Sequence, residues 1–98
     1  MKVAIDPYSF EWDKGNIDKN FKKHKVSIKE IEQAFQDPDL FILEDVLHSL
    51  LEKRYMAWAK TSEKRRLAII FTVREERVRV ISARDMNKKE RRAYEEKV

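Results

Sequence analysis

The sequence contains no cysteine, and its 98 residues include one glycine, two prolines and two histidines. Without cysteine the chain cannot form a disulfide, a thiolate metal site or a thiol nucleophile. A histidine-rich zinc site is not expected either. No apolar run approaches the roughly 20 residues that span a bilayer, and the N-terminus lacks the basic and then apolar pattern of a secretion signal. These absences predict a cytoplasmic protein with no membrane association.

Charge dominates the composition, since 41% of the residues are charged and 42% are hydrophobic. A chain of this length forms one domain around one core, so we treat residues 1–98 as a single unit. The net charge of +4 and the sequence pI near 9.4 fit a polyanionic partner. Thermophile proteins are similarly rich in charge, so the composition permits nucleic-acid binding without requiring it.

Two helices are predicted in the N-terminal half. Asp13 is a suitable N-cap for the first, which should end near Lys25. A capping box of Ser27 and Glu30 opens the second, and the Asp37–Pro38 pair closes it. The residues expected on the buried faces are Ile17, Phe21 and His24 in the first helix and Ile31, Ala34 and Phe35 in the second.

The strand signals predict a meander in the second half of the chain. Arg66–Val73 is the most continuous apolar run and is the expected central strand. Asp45–Lys53 is compatible with a helix or a loop, and the Arg74–Arg77 reversal lacks an Asn-Gly signal. The other predicted strands are residues 10–12, 40–43, 54–60 and 78–84, and Asn87 with Glu90 opens a last helix. This order predicts a single α+β domain with a mainly antiparallel sheet.

The segment Val78–Glu90 carries the clearest chemical signal. Arg79 lies inside a predicted strand, without an acidic neighbour in sequence, and Arg84 lies at the exit of the strand. A guanidinium group held on a rigid strand is well suited to binding phosphate. Regular alternation would place Ser82 on the face opposite Arg79, so both could not contact one substrate. The pattern favours nucleic acid over metabolite chemistry.

Several motifs also occur in a fixed order along the chain. They are FEWD at residues 10–13, KHKVS at 23–27, the acid–His–Glu–Arg pattern of Asp45, His48, Glu52 and Arg54, ISAR at 81–84, and E-R-x-x-Y from Glu90 to Tyr94. Together they resemble the BrnT family of bacterial type II toxins over nearly the whole chain. Two positions depart from the family pattern: Lys25, where a glycine usually follows the histidine, and Leu50–Leu51, where relatives tend to carry polar or glycine-containing loops.

The resemblance implies a RelE-like fold with two N-terminal helices and one C-terminal helix. It implies a ribonuclease that inhibits translation and needs no metal or other cofactor. It also implies a cognate antitoxin, BrnA, which carries a ribbon-helix-helix element, so that the complex binds operator DNA through the antitoxin and represses its own operon. Assemblies of this kind are commonly two-fold heterotetramers.

Metal-free RNA cleavage requires three tasks at one phosphodiester: removal of the 2′-OH proton, compensation of charge on the phosphorane, and protonation of the leaving 5′-oxygen. Arginine suits the second task but is too basic for the other two. The candidate catalytic residues are His24, Arg54, Arg79, Arg84 and Tyr94, and the candidate RNA contacts are Lys23, Arg77, Lys88 and Arg91. We expect His24 and the three arginines to converge around a cavity wide enough for one nucleotide.

Each candidate also has a plainer structural interpretation. His24 could pack beside Phe21, the arginines could form surface ion pairs, and Tyr94 could simply anchor its helix. His48 could be catalytic or could organise its loop, and Trp58 could stack on a base or pack in the core. The remaining aromatic residues assigned to the core are Phe10, Trp12, Phe21, Phe35 and Phe71.

A hydrophobic cluster in the ambiguous segment is a candidate partner site. Leu47, Leu50 and Leu51, if exposed, would contact the antitoxin or a second copy of the chain. A non-catalytic module that acts with a DNA-binding antitoxin in autorepression is the main alternative to a ribonuclease. A stand-alone RNA-binding protein is the third possibility.

Overall fold

A computed structural model describes residues 8–48 and 51–97 of the chain. Within these residues a five-stranded sheet has the order β1-β5-β4-β3-β2, with β1 parallel to β5 and all other neighbours antiparallel. The elements are β1 (Phe10–Glu11), α1 (Lys14–His24), α2 (Ile28–Ala34), β2 (Phe41–Glu44), a 3-10 turn (Val46–His48), β3 (Tyr55–Lys60), β4 (Arg66–Arg74), β5 (Arg77–Asp85) and α3 (Lys88–Lys97). The α+β prediction is confirmed, including the meander and the central position of β4.

The two faces of the sheet are covered by different elements. One face carries the main core, in which Phe35 of the α2 C-terminus packs edge-on against Phe71 of β4 and Phe10 of β1. On the opposite face α3 packs through Tyr94 against Ala68, together with partly buried Trp58. The predicted core positions of Phe35 and Phe71 are confirmed, and Phe10 and Trp12 pack partly buried against that core.

Helix α1 packs along the outer edge of β5, in the position where another strand could pair. The Asn16 side chain donates hydrogen bonds to the carbonyls of Val80 and Ile81 (3.1 and 2.9 Å), and the Asn20 side-chain oxygen accepts from the backbone of Ala83 (3.0 Å). Because the helix docks through these amides, Phe21 is 42% exposed. The expectation that Phe21 belongs to the core is therefore wrong.

The predicted helix starts depend on local hydrogen bonds, and the structure confirms them, whereas α2 ends at Ala34, before the predicted Asp37–Pro38 stop. The Asp13 side chain caps α1, and Ser27 and Glu30 form a reciprocal capping box on α2. Asn87 and Glu90 form the same reciprocal pair at the start of α3 (2.8 and 2.9 Å). Each of these pairs spans three residues, which is why the sequence alone predicts it.

Lys25 ends α1 in the left-handed conformation, with φ 57° and ψ 36°. Its N–H group donates to the carbonyl of Phe21 (2.8 Å). Glycine adopts this conformation at little cost, whereas a residue with a side chain is strained there.

Replacing Lys25 with glycine is expected to stabilise the fold by about 1 kcal/mol, because it removes this strain. For a domain of this size the melting temperature should rise by about 4–8 °C, measured by circular dichroism. The matched control is Lys25→Ala, which removes the same side chain but keeps Cβ, and it should give no such gain. An equal gain in both variants would assign the effect to the side chain and contradict the explanation.

Candidate functional site

A bulge in β5 brings three polar side chains to the face that also carries α3. The pairing of β5 with β4 shifts between Ile70 and Phe71, which leaves Ile81 without a counterpart. The paired residues on this face are Arg79 with Thr72, Ser82 with Ile70, and Arg84 with Ala68. The expectation that Ser82 faces away from Arg79 is therefore wrong, because it assumed a regular strand.

At the end of this face opposite α3, Arg74 binds the carboxylate of Glu52, and two further arginines act on it through their charges. Arg74 donates to Glu52 through Nε (2.7 Å) and Nη2 (3.0 Å). These hydrogen bonds lower the pKa of Glu52 despite some desolvation, and the charges of Arg79 and Arg54 lower it further. We call Arg54, Arg74 and Arg79 the arginine cluster.

Acidic side chains of the N-terminal segment approach the arginine cluster from the other side. Arg79 lies 3.4 Å from a carboxylate oxygen of Glu11 and 3.3 Å from one of Asp13. These contacts are long and partly exposed, so they hold Arg79 only weakly. The arginine side chain is thus oriented but remains able to contact a ligand.

Two hydrogen bonds attach the segment between β2 and β3 to the sheet. The backbone N–H of Asp45 donates to the carbonyl of Arg54 (2.7 Å), and the buried hydroxyl of Thr72 donates to the carbonyl of Lys53 (2.8 Å). These bonds fix the backbone that directly follows Glu52. The contact of Arg74 with Glu52 is not predictable from local sequence, because it joins positions 22 residues apart.

Arg84 lies at the other end of the face, where α3 begins. Its guanidinium donates to both carboxylate oxygens of Glu90 (2.6 and 3.0 Å). Burial alone would raise the pKa of Glu90, but Arg84 and the backbone of Asn87 outweigh it and lower that pKa. Arg84 and Arg79 are separated by four residues of β4, which is about 13 Å along the strand.

His24 is also distant from the arginine cluster. It is the last residue of α1, whereas Arg79 contacts Asp13 before the first turn, so the helix separates them by about 16 Å. At the His24 end, Arg65 bonds to the carbonyl of His24 (3.2 Å) and to Asp85 (2.7 Å). The pKa of Asp85 is lowered chiefly by Arg65 and to a smaller extent by His24. The expected convergence of His24, Arg54, Arg79 and Arg84 is therefore wrong.

Tyr94 is buried, with 1% of its surface exposed, and it anchors α3. Its hydroxyl donates to Asp37 (2.6 Å) and accepts from Lys60 (3.3 Å). Burial and the bond to Asp37 raise the pKa of Tyr94 to about 12. A hydroxyl enclosed in this way favours the anchoring interpretation over the catalytic one. Trp58, beside it, is partly buried and packs against the same cluster.

The candidate RNA contacts are exposed at three places. Lys23 lies in the last turn of α1, and Arg77 lies opposite Arg74 at the start of β5. Lys88 and Arg91 line a shallow groove along α3. Arg77 is thus adjacent to the arginine cluster, whereas the other three are on separate surfaces.

The hydrophobic cluster between β2 and β3 is exposed in the part that the structure describes. Val46 and Leu47 are 72% and 85% exposed, and Leu51 is fully exposed. Leu50 and the side chain of His48 lie outside the described residues. The segment therefore presents hydrophobic groups to solvent directly before Glu52.

The fold is a small α+β domain that carries the arginine cluster at one end of its sheet. Residues 12–90 match the family described as the ribonuclease toxin, BrnT, of type II toxin–antitoxin systems. The chain belongs to this family, and the resemblance predicted from the motifs is confirmed. Membership implies an antitoxin partner.

A search of curated proteins gave no match to this chain. Among the described residues, no helix combines the length and apolar character that crossing a bilayer requires. In the same residues, His, Asp and Glu side chains do not form a group of three that could hold a metal ion.

Proposed function

We propose that this toxin is a metal-independent endoribonuclease that inhibits translation by cutting RNA at the arginine cluster. The observation that supports the proposal is the carboxylate of Glu52, which Arg74 binds through two donors and on which the charges of Arg54 and Arg79 also act. A position that holds one oxyanion against several guanidinium groups is suited to a phosphodiester as well.

In the proposed reaction the 2′-oxygen of one nucleotide forms a bond to phosphorus and the bond from phosphorus to the 5′-oxygen breaks. The 2′-OH proton passes to a solvent water and the 5′-oxygen takes a proton from solvent, giving a 2′,3′-cyclic phosphate and a 5′-OH end. Arg54 and Arg79 compensate the charge on the phosphorane oxygens. His24, Arg84 and Tyr94 lie outside this centre, for the geometric reasons given above.

Flanking nucleotides would contact the exposed basic residues. Arg77 extends the arginine cluster along β5, and Lys88 and Arg91 offer a second basic surface on α3. Lys23 is placed to contribute at longer range only. Such contacts steer a polyanion electrostatically and make its binding depend on salt.

The exposed Leu47 and Leu51 are the proposed antitoxin contact. Hydrophobic side chains that are this accessible are typical of interaction sites. We propose a BrnA-like antitoxin with a ribbon-helix-helix element, a two-fold heterotetramer, and operator binding through the antitoxin. The toxin would encounter both its RNA substrate and its antitoxin in the cytoplasm.

Purified toxin is expected to cleave RNA in excess chelator and to leave 2′,3′-cyclic phosphate ends, which mass spectrometry identifies. A substrate with a 2′-deoxy sugar at the cleaved position should remain intact, because it lacks the attacking hydroxyl. Cleavage that stops in chelator and resumes with Mg²⁺ would contradict metal independence. Folded protein that cuts under neither condition would support the non-catalytic alternative.

A further inference from the structure

Arg74 has the position and geometry of a phosphate ligand, although its sequence context does not indicate this role. It alternates with Thr72 along β4 and therefore lies on the same face as Arg79, which pairs with Thr72. Its guanidinium binds Glu52 through two donors, in the side-by-side arrangement that also fits two phosphate oxygens.

Glu52 is brought to this position by backbone contacts and not by a buried pocket. The bond from Thr72 fixes Lys53, and the bond between Asp45 and Arg54 closes the segment. The Glu52 side chain itself remains partly exposed. It can therefore leave Arg74 by rotating about its own side-chain bonds, without any change in the sheet.

Two arginines of the cluster are paired with carboxylates in the free protein: Arg74 with Glu52, and Arg79 with Glu11 and Asp13. While Glu52 is in place, its negative charge opposes the approach of an RNA phosphate to Arg74. Displacing Glu52 would free the two donors of Arg74 for phosphate oxygens.

We propose that Arg74 is a further phosphate-binding residue and that Glu52 occupies the place of an RNA phosphate in the free toxin. RNA then binds by displacing Glu52 from Arg74. This inference rests on the proposed function, because it assumes that RNA binds at the arginine cluster. Glu52 would then compete with RNA for Arg74 and so lower the affinity of the free protein for RNA.

The test measures binding of a fluorescent 2′-O-methyl oligoribonucleotide, which cannot be cleaved, by anisotropy at several salt concentrations. Glu52→Gln is expected to bind about three- to tenfold more tightly than wild type. The slope of log affinity against log salt should stay close to that of wild type for Glu52→Gln, because both proteins contact the same number of phosphates once Glu52 is displaced, and it should become shallower by about 0.7 for Arg74→Ala, which loses one contact. Arg74→Ala should bind more weakly than wild type.

Two further variants separate the local effect from net charge. Glu32→Gln changes an exposed residue of α2, on the other side of the sheet, and should give much less of this gain although the net charge changes equally. In the double variant Glu52→Gln/Arg74→Ala the gain should vanish. Equal gains at positions 52 and 32, or a gain that persists without Arg74, would overturn the inference.

The binding measurements and the cleavage test can fail independently. If wild type cuts RNA in chelator but Glu52→Gln binds no more tightly, only the inference about Glu52 is wrong. If no cleavage is seen but the gain requires Arg74, the proposed activity is wrong and the competition between Glu52 and phosphate stands.

Discussion

Replacing Arg79 with alanine is expected to reduce the rate of RNA cleavage about 10²–10³-fold, as for the loss of one donor that stabilises transition-state charge. Arg79 lies on β5, next to the central strand β4, and its positive charge acts on the carboxylate of Glu52, which we take to mark the phosphate position. The measurement is the single-turnover cleavage rate with enzyme in excess, in chelator. Growth arrest on expression should be lost in parallel.

The fold should survive this change, because the contacts of Arg79 with Glu11 and Asp13 are long and partly exposed. Such ion pairs contribute no more than about 1 kcal/mol, so the circular dichroism spectrum and melting curve should be nearly unchanged. Lys29→Ala, an exposed α2 residue that loses the same charge, is the control and should cleave at close to the wild-type rate. Full activity of folded Arg79→Ala would remove Arg79 from the proposed centre.

Replacing Asp37 with asparagine should lower the free energy of unfolding at neutral pH by about 2–4 kcal/mol. The Asp37 carboxylate is buried and accepts hydrogen bonds from the Tyr94 hydroxyl (2.6 Å) and from the backbone of Lys60 and Asp39 (2.9 Å each). An asparagine at position 37 would place its own amide N–H group against one of these hydrogen-bond donors, which would then lose its acceptor. Urea unfolding at pH about 7 measures the loss.

The cost of this substitution should depend on pH. Burial would raise the pKa of Asp37, but the bonds from Tyr94, Asp39 and Lys60 outweigh it, so the folded-state pKa lies below the usual value. The stability contributed by the carboxylate is present above its unfolded pKa of about 3.9 and is lost as pH falls through the lower folded pKa. The difference between wild type and variant should therefore shrink toward about pH 2.

Asp39→Asn is the matched control, because Asp39 also pairs with Lys60 (3.1 Å) but is exposed. It should cost less than about 1 kcal/mol at pH 7. An equal cost for both variants would show that burial of Asp37 is not the source of the effect. A cost for Asp37→Asn that does not change with pH would contradict the ionised state assigned to it.

The sequence predicted the fold well where the determining contacts are short in range. The caps at Asp13, Ser27 and Asn87 each depend on residues three positions apart, and all are present. The central position of β4 followed from its continuous apolar run, because a strand covered on both faces excludes water from both. The reversal between β4 and β5 was predicted at Arg74–Arg77, but its geometry was left open, because it uses left-handed Glu75 and Glu76 (φ 49° and 63°) where glycine or asparagine is usual.

The candidate site was predicted only in part. Arg54 and Arg79 were identified from strand position, and the positive charges of both do act on the same carboxylate. His24 and Arg84 were expected beside them, but motif order along the chain carries no information about which end of a sheet a residue reaches. Arg74 was missed because nothing near it in sequence marks its contact with Glu52.

The sequence by itself determined the helix starts, the antiparallel meander, the basic composition and the family, because these depend on neighbouring residues or on ordered motifs. Only the tertiary structure decided that α1 docks on the edge of β5, that Tyr94 is buried against Asp37, and that Ser82 shares a face with Arg79. Each of these depends on the pairing register of segments distant in sequence. One extra residue in β5, Ile81, changes which side chains share a face, and local patterns do not encode it.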